Sequence, residues 1–322
     1  MHKLASLDAL RGLAILFVII SHFGAGEFGR NASIVFGNAG VILFFFLSGF
    51  LMDRALNQDR NLISYGLRRA FRILPMYWLS LAVVALWSSD WTAWQLVANA
   101  TFTAPAFGLE RMLGVYWTLY IEVLFYCLAP FLAMGGRLAI GVATYAALAL
   151  FAAFAFLHGV EKGAGFYLIF CLCGMQIGAW HRHEISALQL WVSILTVCAG
   201  ASFLMPASSI YLSPISVYLG PIALVCAALV VAGLHFRLRL PALAFFGTVS
   251  YSWYLLHSIF GYKLAAYPIA GWLAMLIGAA LTLALSVVTY RYIEAPAIVF
   301  GKRLSSLVAL GSMRRYGWFG GL

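Results

Sequence analysis

Charge is what this chain has least of. Only 9% of its 322 residues are Asp, Glu, Lys or Arg, against roughly a quarter in an average soluble domain, and that shortage excludes an ordinary solvated surface. Hydrophilic stretches are short as well. The longest, about 54 to 71 and 88 to 115, leave no room for an independent soluble core. Cysteines are few, and Cys127, Cys171, Cys173, Cys198 and Cys226 all fall within apolar runs. They give no disulfide framework and read as packing residues. No clear internal repeat is visible, which counts against an inverted-repeat transporter.

What the chain does have is apolar length. With 64% hydrophobic residues and a mean hydropathy of +0.96, it reads as a polytopic membrane protein. Ten apolar runs of 15 to 24 residues stand out, at about 9 to 23, 34 to 53, 72 to 87, 116 to 134, 138 to 157, 164 to 181, 188 to 204, 215 to 234, 243 to 264 and 270 to 293. They are continuously apolar rather than alternating, so the expected fold is an all-α bundle of about ten transmembrane helices and not a barrel.

The net charge of +10 is a matter of topology and not of nucleic-acid binding. With the N-terminus cytoplasmic, only Arg30, Arg111, Lys162 and Lys263 of the twenty basic residues fall outside, which places both termini in the cytoplasm. The first run has no convincing small-x-small cleavage site after it and is kept as a mature helix. Residues 1–300 read as one membrane domain and 301–322 as a basic cytoplasmic tail on the anionic leaflet. Trp87, Trp91 and Trp94 open an external segment, read as an interfacial helix and loop with belt anchors.

Four stretches carry polar chemistry into this apolar background. The first, Leu7–Phe23, places Arg11 and His22 on one helical face, roughly 16 Å apart. Such a stripe faces a bundle interior or a watery cavity; the plainer alternative is an interfacial Arg anchor with a His that ends the span. The second, LRRAFRILPMYW at 67–78, clusters Arg68, Arg69 and Arg72 near Tyr77. Guanidiniums so grouped suit the phosphates of a donor such as coenzyme A, and equally form a positive-inside anchor. Pro75 kinks the span or sits in its first turn, turning Tyr77 toward the bundle.

In the third stretch, YWTLYIEVLFYCLAP, Glu122 is a carboxylate well inside a span. A carboxylate there needs a partner or a proton-handling task, or else makes a structural hydrogen bond between helices. The fourth, SYSWYLLH, aligns Ser250, Tyr254 and His257. By depth, His22, Glu122 and His257 all fall in the outer half, where their convergence would serve proton abstraction from a hydroxyl.

Other matches are weak. The glycines of GAGEFG follow a membrane helix rather than a strand. Cys171 with Cys173, and His181 with His183, lack the ligand sets of a metal site, so no metal is expected. Gly174 and Gly178 form a GxxxG for close helix approach, within the bundle or between protomers, so an oligomer stays open. Ser48 in FFFLSGF reads as packing or as a cavity-lining polar break.

Taken in chain order, LDALRGLAILFVIISH, FFFLSGFL, the RxxR of Arg69 and Arg72 with RILPMYW, WTLYIEVLFYCLAP, SYSWYLLH and YRYIEAP resemble the acyltransferase-3 family of integral-membrane O-acyltransferases. Many of these modify bacterial surface polysaccharides. The resemblance implies an enzyme of the bacterial inner membrane. It would move an acyl group, acetyl foremost, from cytoplasmic acyl-CoA to a hydroxyl of a surface polysaccharide, a lipopolysaccharide or a lipid-linked sugar. It implies roles for Arg11 and His22 as paired functional residues, for Arg69 and Arg72 as the RxxR and for Glu122 at the acidic position, with His257 as an addition. Some family members carry an appended esterase-like domain; this chain is expected to finish transfer within the bundle. His22 is the expected general base, oriented by Glu122 or His257, or else the carrier of an acyl-histidine. A proton-coupled sugar transporter using Glu122 and His22, and a non-catalytic membrane sensor, are the competing readings.

Overall fold

A computed structural model describes residues 5–59, 61–87, 90–158, 163–204, 217–236, 240–264 and 271–316. Lys3, Arg60, Lys162, Arg237 and Arg239, used above to orient the chain, lie outside them, as do residues 317–322 of the basic tail. The described residues are mostly helical, without a strand. In chain order they form α1 (Ala5–Phe23), α2 (Ala25–Gln58), α3 (Leu62–Trp87), α4 (Ala93–Ala100), α5 (Tyr116–Met134), α6 (Gly136–His158), α7 (Tyr167–His181), α8 (Ala187–Leu204), α9 (Leu219–His235), α10 (Pro241–Leu264), α11 (Gly271–Thr289) and α12 (Ala295–Tyr316). Over the described residues, the ten apolar runs each fall on a helix, and α4 is the short helix expected after the third. Among the described residues, seven helices are long and apolar enough to cross a membrane, while α7 and α9 are shorter apolar helices.

The apolar surface is distributed as lipid solvation dictates. Leu86, Phe203, Met134, Leu138 and Leu188 point outward, each more than 70% exposed, whereas α7 is buried on nearly every side. A helix apolar all round belongs in the middle of a bundle. Since lipid is as apolar as leucine, the helices are drawn together by packing rather than by escape from water, and small residues set how close they come. Gly49 of α2 and Gly174 of α7 meet backbone to backbone, and Gly178 lies against Asp53, so the GxxxG works inside one chain. Gly12 and Gly247 do the same for α1 and α10. A methyl group on Gly247 would stand 1.8 Å from the Asp8 carbonyl oxygen. Along this seam Asp8 meets Gly247, Arg11 meets Ser250 and His22 meets His257, so α1 and α10 run parallel.

One boundary differs from expectation. Helix α3 begins ten residues before the apolar run, at Leu62, so Pro75 lies inside it and not in its first turn. The basic tail is helical as far as Tyr316: α12 starts at Ala295 and packs on α3. Ser64 donates to the Ser305 carbonyl at 3.0 Å, and Phe71 and Phe300 have ring centres 5.1 Å apart. A π-helical turn over Tyr290–Glu294 joins α11 to α12.

Candidate active site

Helices α1, α2, α3, α5 and α10 enclose a cavity of about 110 Å3, room for several waters at roughly 10–15 Å3 each. Its polar wall is built from Arg11, Ser48, Arg69, Arg72, Glu122 and Tyr126. Arg11, fixed by the Gly12–Gly247 contact, donates to Ser250 at 3.3 Å, and Ser250 donates in turn to the Gly247 carbonyl at 2.8 Å. Its hydrogen-bond partner is thus neutral.

Arg69 and Arg72 lie three apart on α3 and share a side. Arg72 ion-pairs with Glu294, which is 1% exposed and also accepts from Ser252. It lies over the Tyr251 ring, 5.6 Å from its centre. Arg69 lies over Tyr126 at 5.8 Å, and its buried Nε has no hydrogen-bond partner among the described residues. Glu122 accepts from Ser48 of α2 at 3.1 Å and from Tyr126, one helical turn on. Three guanidiniums therefore gather with two carboxylates, and one of those carboxylates is committed to Arg72. The surplus of positive charge and of unused N–H groups fits an anionic guest with phosphate-like oxygens.

The histidines form a second cluster on the same two helices. His22 is exposed and His257 wholly buried, with ring centres 4.9 Å apart. Tyr254 connects the clusters: it lines the cavity, its ring centre is 5.6 Å from that of His257, and its hydroxyl meets Thr118 at 2.6 Å.

The structure thus brings Arg11, Arg69, Arg72 and Glu122 together, and His22 with His257, but neither histidine lines the cavity. The convergence expected of Glu122 with the two histidines is not seen; Ser48 and Tyr126 hold it on the arginine side. Two residues expected to bind the donor lie elsewhere. Arg68, turned away from Arg69 by one helical step, pairs with Asp59 at 2.8 Å. Tyr77 donates to the Asn99 carbonyl at 2.8 Å and stacks on Phe102, anchoring the α4 segment. Sequence reasoning passed over Glu294, Tyr126 and Tyr251. The Glu of YRYIEAP was a visible signal, though its partner Arg72 stands 222 positions away.

Comparison with known proteins gives the family of the chain. A family described as "Acyltransferase domain" matches residues 4–291. The peptidoglycan O-acetyltransferase OatA of Listeria monocytogenes is 30% identical over 153 residues, covering 39% of this chain and 23% of that protein. Nodulation protein 10 of Rhizobium leguminosarum bv. viciae is 26% identical over 322 residues, covering 86% of this chain and 85% of that protein. No solved structure matches. With the match running along nearly the whole bundle, this chain belongs to the acyltransferase family of multi-pass membrane proteins.

Proposed function

We propose that this protein is an O-acyltransferase of the bacterial plasma membrane, taking an acyl group, acetyl foremost, from cytoplasmic acyl-CoA. The acceptor is a hydroxyl of a cell-surface polysaccharide or a lipid-linked sugar; the name of the Listeria relative supports a glycan. The observation that carries this reading is the arginine-rich cavity linked, through α1 and α10, to a histidine pair. From Arg11 to His22 the helix rises roughly 16 Å. A donor whose phosphates rest on Arg69 and Arg72 and whose thioester rides a long flexible arm spans that distance, with Arg11 along the passage.

In this reading His22 takes the proton of the acceptor hydroxyl as its oxygen attacks the thioester carbonyl. The tetrahedral intermediate collapses, the carbon–sulfur bond breaks, and the proton passes to the departing sulfur, giving the ester and free CoA. Glu122 keeps the cavity's charge in balance beside Arg69. Purified protein in liposomes, given radiolabelled acetyl-CoA and extracted envelope glycans, is expected to release CoA and label the glycan. Flux of a sugar with no CoA release would favour the transporter instead.

A further inference from the structure

His257 has a geometry that the transfer step described above does not yet use. Its side chain is 0% exposed, so no acceptor sugar reaches it; His22, exposed one helix away, is the ring an acceptor can meet. The Nδ1 of His257 faces two backbone carbonyls, Tyr254 O at 2.6 Å and Trp253 O at 3.3 Å. Carbonyl oxygens only accept, so Nδ1 must carry the hydrogen. In the neutral ring this leaves a lone pair on Nε2, and Nε2 is buried without a hydrogen-bond partner among the described residues. A buried acceptor left alone costs about 1–3 kcal/mol. Among the described residues, the other rings against this one are Phe23, with ring centres 6.4 Å apart, Tyr254 at 5.6 Å, and His22 at 4.9 Å. Of these rings His22 alone carries an N–H on an exposed, rotatable side chain. With the ring centres 4.9 Å apart, an N–H···Nε2 bond is within reach of a turn about the His22 side-chain torsions.

We infer that His257 is the positioning residue for His22: its tautomer, locked by the Tyr254 and Trp253 carbonyls, presents an acceptor that holds one His22 N–H and leaves the other His22 nitrogen free toward the acceptor hydroxyl. This inference rests on the acyltransferase reading. It assigns to a second imidazole the orienting task that a carboxylate performs in many histidine-based sites. The substitution of ring for carboxylate suits the place: a buried carboxylate would add a charge where the two helices meet at their apolar end, and an imidazole adds none.

The test uses His257→Leu and His257→Gln in the full chain in liposomes, each checked for monodispersity. Leu removes the acceptor. Gln can set an amide oxygen near the place of Nε2. The expected result for Leu is a fall in kcat of about 100-fold, the scale of a misplaced catalytic group, with the KM for the acyl donor unchanged; Gln recovers most of that loss. Unchanged kcat in the Leu variant, equal losses in both folded variants, or a loss confined to donor KM would each overturn the inference. A second measurement is independent of turnover. In 15N-histidine spectra His257 is expected as the Nδ1–H tautomer, and His22 signals are expected to move in His257→Gln. An Nε2–H tautomer at position 257, or His22 signals that stay put, overturns it. Should the wild-type chain transfer no acyl group at all, the O-acyltransferase reading fails, and the spectra still decide the histidine pairing.

Discussion

At its Arg11 end the α1–α10 seam is charged and lines a cavity; roughly three helical turns on, it ends in two imidazoles, one buried and one open. Around Arg11, guanidiniums and carboxylates are held by serines, tyrosines and each other, with Arg72 and Glu294 forming a buried pair. Around His22 no carboxylate touches either ring among the described residues, and the fixed points are backbone carbonyls. Charge is expensive at membrane depth and persists where it is paired or where it recognises charge. The arginine end is therefore suited to hold an anionic donor, and the histidine end to move a proton. Two parallel helices, brought together by Gly12 and Gly247, fix the distance between those tasks.

Breaking the seam has the largest effect. Gly247→Leu would drive Cβ to 1.8 Å from the Asp8 carbonyl, a backbone atom that cannot yield, and is expected to abolish folded protein in size-exclusion profiles. Gly66→Ala on α3 meets nothing within 4 Å and is expected to stabilise by about 0.5–1 kcal/mol. Next in size is chemistry at the open end. His22→Ala is expected to lower kcat by about 100- to 10,000-fold with donor KM preserved, the range for a lost general base.

At the charged end Arg69→Ala is expected to raise donor KM about 10- to 100-fold, equivalent to about 1.5–3 kcal/mol for a charge-assisted hydrogen bond. Arg68→Ala, which breaks only the half-exposed pair with Asp59, should leave KM within about threefold, as a pair worth 0–1 kcal/mol allows. Steady-state kinetics on the pair sharpens the contrast between a donor ligand and a surface cation. Smallest is the effect at Asp59 itself. Its carboxyl is held below the usual range by the Asn61 backbone N–H and by Arg68. A depressed carboxylate stabilises the fold above the unfolded value near pH 4, and that contribution is lost as pH falls through the lower folded value. Asp59→Asn is therefore expected to lower the melting temperature slightly at neutral pH, with the difference vanishing in strong acid.

Much of this could be read from the residues because its causes are local. Continuous apolar runs mark membrane helices, and the 3.6-residue period puts Arg11 and His22, or Ser250 and His257, on one face. Register across helices is not local. Glu294 stands one residue past the last apolar run, and only the π turn and the packing of α12 on α3 deliver it to Arg72. Tyr77 does turn into the bundle, fully buried, but its hydroxyl is taken by the Asn99 carbonyl of the α4 segment, a partner 22 positions away. Glu122 was placed by depth, whereas Ser48 and its own i+4 neighbour Tyr126 decide which cluster it joins.

The most direct test of a divided site is a kinetic comparison of His22→Ala and Arg69→Ala in liposomes with radiolabelled acetyl-CoA and envelope glycan. The expected result is separation: kcat collapses in the first with donor KM intact, and donor KM rises in the second while kcat at saturation is largely kept. Equal losses of both parameters in both variants, or full glycan labelling by His22→Ala, would contradict the account.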